Sequence, residues 1–285
     1  MNRTKSKIDR ENERNYVNYI DNNTVVFKNS QNSQNKTNRV PNNVLSNYLG
    51  DNTWVFDLCG GKGQDLHKWL YAYQNSCTDI YKDLVKYVNL DISKDGVDEC
   101  KNRIVKMNLQ KRFRAFEYDV FKNKLGCNIP KHLIDRPCIV SCQLALHYSF
   151  KSAEMFRVAM HNLLIMQPVA IFITYPDPDI LINKGIRTFY SGGLDETDVV
   201  ARVENLKFNP NIVFGNSYDY YQNGTCVSES IHEYIVNEEL LYTTLYNNGY
   251  NLVYDNNHAN ILGGLHIVDI KSPVALYKSV IYTLY

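Results

Sequence analysis

The stretch Val55-Phe56-Asp57-Leu58-Cys59-Gly60-Gly61-Lys62-Gly63-Gln64-Asp65-Leu66 constrains this chain more than any other. A short apolar strand ends in a carboxylate, a turn with glycine at 60, 61 and 63 follows, and a helix opens. Glycine carries no Cβ, so the backbone can pass close to a ligand there. Such a strand–turn–helix corner lies at the ligand crevice of a doubly wound α/β domain. Asp57 and Asp65 make this corner acidic, which suits a cationic ligand better than a pyrophosphate. A tight structural turn would use glycine too, so the motif needs support from elsewhere.

That support comes from the alternation downstream. Strands are expected at Thr53–Leu58, Lys86–Leu90, Phe113–Tyr118, Cys138–Cys142 and Val169–Tyr175, and helices at Gln64–Tyr73, Lys94–Asn108 and Ser152–Met166. Alternating strands and helices build a parallel sheet covered on both faces. Pro176, Pro178, Gly192-Gly193 and Pro210 then break the rhythm, and residues 176–230 read as an insertion over the crevice. A helix is expected over Glu233–Asn247, then Asn251–Tyr254 and two late strands, His266–Ile270 and Leu276–Leu284. A sheet closed by an antiparallel pair is mixed. That feature, and the lack of G-x-G-x-x-G, argue against a nicotinamide dehydrogenase. Tyr71–Asp83 reads as a surface insertion.

Residues 1–50 are different in kind. Asn22–Asn38 is polar and without period, and the segment carries eight Lys/Arg against four Asp/Glu. It reads as a partly flexible, mildly basic arm before a domain spanning 51–285, and a chain that starts this way reads as a piece of a longer polypeptide. The seven cysteines are scattered with no C-x-x-C pair, so reduced thiols are expected and no metal site. No secretory signal or membrane-spanning run is present in the sequence given. The net charge is only +1, so any nucleic-acid affinity must come from a local patch. Lys101, Arg103, Lys106, Lys111, Arg112 and Arg114 form one basic run, for most of which a solvated face is the plainer reading.

Three more strand ends offer polar groups: Asp91 closes Tyr87-Val88-Asn89-Leu90, Asp119 follows Phe113–Tyr118, and Gln143 follows Val140-Ser141-Cys142. Each has a local alternative, such as a helix cap for Asp91. Together with Asp57 they converge, because ligands bind outside the carboxyl ends of parallel strands.

The last of these segments, Ser141-Cys142-Gln143-Leu144-Ala145-Leu146-His147-Tyr148-Ser149-Phe150, resembles the Q-F-x-x-H-Y signature of mRNA cap guanine-N7 methyltransferases. The glycine turn is similar to that family's D-L-G-C-G-K-G-G-D-L. Asp91-Ile92-Ser93 with Cys100-Lys101-Asn102-Arg103, Glu233-Tyr234, Leu276-Tyr277 and Asn42-Asn43 match further family segments in order. The likeness spans about residues 40–285. It extends to the C-terminal methyltransferase part of multifunctional capping enzymes of large cytoplasmic DNA viruses of the African swine fever virus kind, in keeping with the 22 tyrosines and abundant asparagine.

The resemblance implies a Rossmann-like class I S-adenosylmethionine methyltransferase fold with a mixed seven-stranded sheet. It implies that Asp57, Cys59, Gly60 and Asp65 line the methionine side of S-adenosylmethionine, that Asp91 takes the ribose hydroxyls, that Asp119 meets the adenine, and that Gln143 lies by the sulfonium. Lys62 and Arg103 would face the cap phosphates. His147, Tyr148, Glu233 and Tyr277 would surround the cap guanine, with Pro176 nearby. The implied reaction converts a GpppN end to m7GpppN on capped RNA. Guanine N7 attacks through a free lone pair, so an in-line displacement is expected with no residue acting as general base. Upstream triphosphatase and guanylyltransferase domains, a host-cytoplasmic viral factory or virion location and no membrane go with it. The chain departs from the motif in Cys59-Gly60, which inverts Gly-Cys, in Leu144 at a common Phe position, and in Ser46 at a lysine position. These departures keep two alternatives open: methyl transfer to another substrate, and an inactive cap-binding module.

Overall fold

The computed structural model describes residues 53–67, 69–70, 86–126, 136–190, 199–222, 230–257 and 276–284. The arm with Asn42, Asn43 and Ser46, the Tyr71–Asp83 segment and the strand expected at His266–Ile270 lie outside them.

Five strands run parallel: β1 (Trp54–Leu58), β2 (Tyr87–Asp91), β3 (Phe113–Glu117), β4 (Cys138–Gln143) and β5 (Ala170–Pro176). Four of these strands, β1, β2, β4 and β5, are buried along nearly their whole length, which is why they read as continuous apolar runs. Two later strands, β10 (Tyr250–Asn257) and β11 (Tyr277–Leu284), complete a seven-stranded sheet of order β10-β11-β5-β4-β1-β2-β3. β11 pairs antiparallel to both of its neighbours, so the sheet is mixed. This is the Rossmann-like class I methyltransferase architecture the resemblance implied.

The sheet is covered on both faces. Helix α1 (Lys94–Lys106) packs Val97, Cys100 and Ile104 on Val55, Tyr87 and Ile139. On the other face α2 (Ala153–Leu164) and α3 (Glu238–Asn247) pack on Phe56, Leu90, Val140 and Ile173. Strand order reverses between β1 and β4, and the crevice outside that reversal is where ligands bind in such sheets.

The insertion has structure that the sequence reading did not name. A single π turn (Asp179–Asn183) leads into β6 (Thr188–Tyr190), β7 (Val199–Lys207) and β8 (Ser217–Gln222). With β9 (Ile231–Tyr234) they form a second, antiparallel sheet of order β6-β7-β8-β9. It has its own core of Leu181, Phe189, Val203, Tyr218 and Tyr277.

One expectation is corrected here. Glu233 does not open a helix; it pairs across β9 with Tyr218 of β8, and the helix starts only at Glu238. The aromatic and β-branched run Tyr234-Ile235-Val236 favours extended backbone. Asn237 then caps α3, its side chain accepting from the Leu240 amide at 2.8 Å.

Beneath Asp119, α2 grips the segment that leaves β3. The buried Asn162 amide accepts from Leu125 N at 2.7 Å and donates to Val120 O and Asn123 O at 2.7 and 2.8 Å. Leucine at 162 would strand two buried backbone groups, Leu125 N and Val120 O, and the part-buried Asn123 O. Asn162→Leu is expected to lower the unfolding free energy by about 3 kcal/mol, read as a lower urea midpoint. An unchanged midpoint would mean the segment is held by its apolar contacts alone.

Candidate functional site

The glycine turn is built by close approach. A Cβ on Gly60 would lie 2.7 Å from both Asn89 Oδ1 and Asp57 Oδ2, so only glycine fits. Cys59 has φ 63°, the left-handed region that side chains other than glycine enter at a cost of roughly 1–2 kcal/mol. The inverted Cys59-Gly60 pair thus has a physical reading. The residue without a side chain stands where Asn89 leaves no room, and the cysteine bears the strained backbone. Gly61 and Gly63 also have positive φ, and Cβ at 63 would meet Cys100 Sγ at 2.6 Å.

Carboxylates line this turn. Asp57 is buried and accepts a hydrogen bond from the Tyr87 hydroxyl at 2.7 Å. Burial, then the adjacent Asp57 charge, holds that phenol well above its ordinary range, so it stays a donor. Asp91 accepts from Gly61 N on one oxygen and Ser93 N on the other, both at 2.8 Å. A carboxylate has about four acceptor positions, so Asp91 keeps capacity for two more donors. Asp65 is half-buried at the start of the helix that follows. Ile92, next to Asp91, presents an exposed apolar side chain that sequence reading missed. Asp119 caps its own turn, accepting from Phe121 N at 3.0 Å and Lys122 N at 3.1 Å.

Gln143, at the end of β4, is locked. Its amide donates to Phe172 O at 3.2 Å and accepts from Thr174 Oγ1 at 2.6 Å. Ser141 Oγ and Asn89 Oδ1, in register on either side of Asp57, are buried without a hydrogen-bond partner among the described residues.

A second group faces the first. After β4 the chain passes through Leu144, φ 56°, into a 3-10 turn (Leu146–Lys151) carrying His147 and Tyr148. Their rings lie 4.3 Å apart between centroids. His147 Nε2 is 3.6 Å from Glu233 Oε1, an ion-pair distance rather than a hydrogen bond, and neither ring nitrogen has a hydrogen-bond partner among the described residues. Glu233 Oε2 accepts from the Tyr218 hydroxyl at 2.6 Å. Burial alone would push the Glu233 carboxyl up; His147, Tyr218 and Tyr148 outweigh it and hold the carboxyl below its usual range. Tyr277 pairs with Pro176 across the β11–β5 register and donates to the Tyr220 hydroxyl at 3.3 Å.

The two groups adjoin: Cys59 follows Leu58, which pairs with Cys142 of β4, and it packs with Tyr148 against one core cluster. A hydrogen bond with Cys142, then burial, then the Asp91 and Asp57 charges push the Cys59 thiol well up. Lys62 is exposed on the turn. Arg103 lies in the last turn of α1, paired with Glu99 at 3.3 Å and about 10 Å along the helix from Gly96, which touches the glycine turn. Tyr218 was missed, although the inward-outward alternation of Tyr218-Asp219-Tyr220-Tyr221 marks it as inward-facing.

Comparison with known proteins agrees with the motif reading. A model of the mRNA (guanine-N(7))-methyltransferase domain matches residues 12–266. The chain is 30% identical over 148 residues to mRNA cap guanine-N(7) methyltransferase 1 of Oryza sativa subsp. japonica, covering 50% of this chain and 37% of that protein. It is 26% identical over 274 residues to the mRNA cap guanine-N(7) methyltransferase of Meyerozyma guilliermondii, covering 80% and 44%. For the enzyme of Saccharomyces cerevisiae the figures are 25% over 221 residues, 73% and 48%. The chain thus spans less than half the length of these relatives.

Proposed function

The chain belongs to the mRNA (guanine-N7)-methyltransferase family, and from that membership we propose that it transfers a methyl group from S-adenosylmethionine to N7 of the guanine cap of mRNA, turning GpppN into m7GpppN. The observation that carries the reading is the buried His147–Glu233–Tyr218 cluster beside the acidic glycine turn, whose Cys59 packs with Tyr148 against one core.

The turn's donor set fits the cofactor. Gly60 removes the Cβ that would close the cradle, Asp57 and Asp65 suit an ammonium group, and Asp91 retains acceptor positions for a diol. In this reading Asp57, Cys59, Gly60 and Asp65 hold the methionine part, Asp91 the ribose, Asp119 and the exposed Ile92 the adenine side, and Gln143 the approach to the reacting methyl. Bound there, S-adenosylmethionine supplies an electrophilic methyl on a sulfonium.

The protein's part is orientation. N7 has no proton to lose, so no side chain here needs to act as a base. Glu233, held ionised, accepts from guanine N1–H and the 2-amino group, and His147 donates to O6. Tyr148 and Tyr277 pack on the ring, where stacking contributes roughly 1–3 kcal/mol per base. Methylation makes the base cationic, which a carboxylate and aromatic faces accommodate. Alignment of this kind lowers a barrier by roughly 7–11 kcal/mol. Lys62 on the turn and Arg103 on α1 serve the cap triphosphate, and the second sheet covers the base.

The same reading places the chain in a viral multifunctional enzyme, after triphosphatase and guanylyltransferase domains and at a cytoplasmic factory or in the virion. It draws on the motif likeness and on the tyrosine-rich composition. Among the described residues, no helix is long and apolar enough to cross a membrane.

Methyl transfer from radiolabelled S-adenosylmethionine to GpppA-capped RNA is the direct test, with uncapped RNA beside it. The label is expected only in capped RNA and on N7. Transfer to uncapped RNA alone would point to another substrate, and cap affinity without turnover to a binding module.

A further inference from the structure

Glu233 is placed by a residue that no motif contains. β8 and β9 pair Tyr218 directly with Glu233, and both side chains point into the buried side of the second sheet. The Tyr218 ring is fully buried, and its hydroxyl lies 2.6 Å from Glu233 Oε2, a short charge-assisted bond. The opposite oxygen, Oε1, faces His147 at 3.6 Å. A glutamate carboxylate turns freely about its last torsion unless something fixes it. With Oε2 tied to β8, its plane and direction are set before any ligand arrives.

We infer that Tyr218 is the positioning residue for guanine recognition, fixing the orientation of the Glu233 carboxylate toward the base; this rests on the cap-methylation reading of the site. Its effect is twofold. Pre-organising the acceptor removes an ordering cost from binding. A buried carboxylate must also stay ionised to accept two N–H groups at once, and a hydroxyl donor favours the ionised form.

Among the described residues, few groups face Glu233. From the 3-10 turn come His147 and Tyr148; from β8 comes Tyr218, with Tyr220 next along the strand and bonded to Tyr277 of β11. Burial, then the Glu233 charge, holds the Tyr218 phenol well above its ordinary range, so it donates throughout the working range of pH. The sign follows. The Glu233 carboxyl lies below its usual range, so its accepting form persists as pH falls until that depressed value is reached. Loss of the Tyr218 hydroxyl raises the value and brings the loss of activity to higher pH.

Tyr218→Phe keeps the ring and removes only the donor. It is expected to raise KM for GpppA-capped RNA by about tenfold, change kcat by less than about threefold, leave S-adenosylhomocysteine affinity unaltered, and move the acid limb of kcat/KM upward. A tyrosine that merely packs the sheet would not move that limb. In the Glu233→Ala background, the added Tyr218→Phe is expected to cost no further affinity for the GpppA dinucleotide, because its partner is gone. An unmoved acid limb, or an equal loss of cap affinity in both backgrounds, overturns the assignment while leaving the cap reading intact. If Glu233→Ala itself leaves GpppA affinity unchanged, the guanine pocket is misassigned and the inference falls with it.

Discussion

Replacing Glu233 with alanine is expected to lower kcat/KM for GpppN-capped RNA by about 10²–10³-fold, with S-adenosylhomocysteine affinity within about twofold of the parent. The size of the effect comes from what the carboxylate leaves behind. Its removal strands the Tyr218 hydroxyl and the His147 ring in a buried site, and the guanine N–H groups lose their acceptor. Truncating one partner of a buried, hydrogen-bonded charge costs 2–5 kcal/mol or more, mostly through the groups left unpaired. The separation from cofactor affinity is the informative part. Glu233 reaches its position from the second sheet, whereas the glycine turn and Asp91 belong to the seven-stranded sheet. Titration calorimetry with S-adenosylhomocysteine beside steady-state kinetics reads both halves. Near-parent activity would mean that the base is recognised elsewhere, and a joint loss of cofactor binding would mean that Glu233 supports the fold.

Asp91→Ala is expected to show the reverse pattern, with about 100-fold weaker S-adenosylhomocysteine binding and affinity for the GpppA dinucleotide largely kept. Two contributions add. The ribose loses its acceptor, and the turn loses the two amide bonds that tie Gly61 to the start of α1 through Ser93. Hydrogen bonds to a charged group contribute about 1.5–3 kcal/mol each. Asp91→Asn should recover part of the loss, because its side-chain oxygen can still accept one of the two amides. Cofactor affinity unchanged in Asp91→Ala would remove the ribose assignment, whatever happened to activity.

How far the sequence revealed these arrangements follows from the range of the forces involved. β1, β2, β4 and β5 were legible because strands buried on both faces are continuously apolar, and this needs no partner to be recognised. The polar strand ends were legible for the same reason: each is a change of character after an apolar run. The second sheet was hidden by its prolines and glycines, and its β6 is only three residues long. The β9–α3 boundary was misread because Glu233 looks like a first-turn glutamate until Tyr218, fifteen residues earlier, is known to be its partner. Tyr218 itself is one tyrosine among 22; alternation marks it as inward-facing, and only the pairing register makes Glu233 its partner. Arg103 is the converse case: a motif match suggests a role at the phosphates, and only the helix rise places it, in the last turn of α1 beside Glu99.

The inverted Cys59-Gly60 pair has an evolutionary consequence. Glycine at 59 is sterically open, since it only releases a strained backbone, but cysteine at 60 collides with Asn89 and Asp57. The two positions are therefore not independent: the family's usual order can return only when residue 89 becomes smaller and the Asp57 carboxylate also turns aside. Position 89 acts as an epistatic gate on the glycine motif, and sequences close to this one should show residues 59, 60 and 89 changing together.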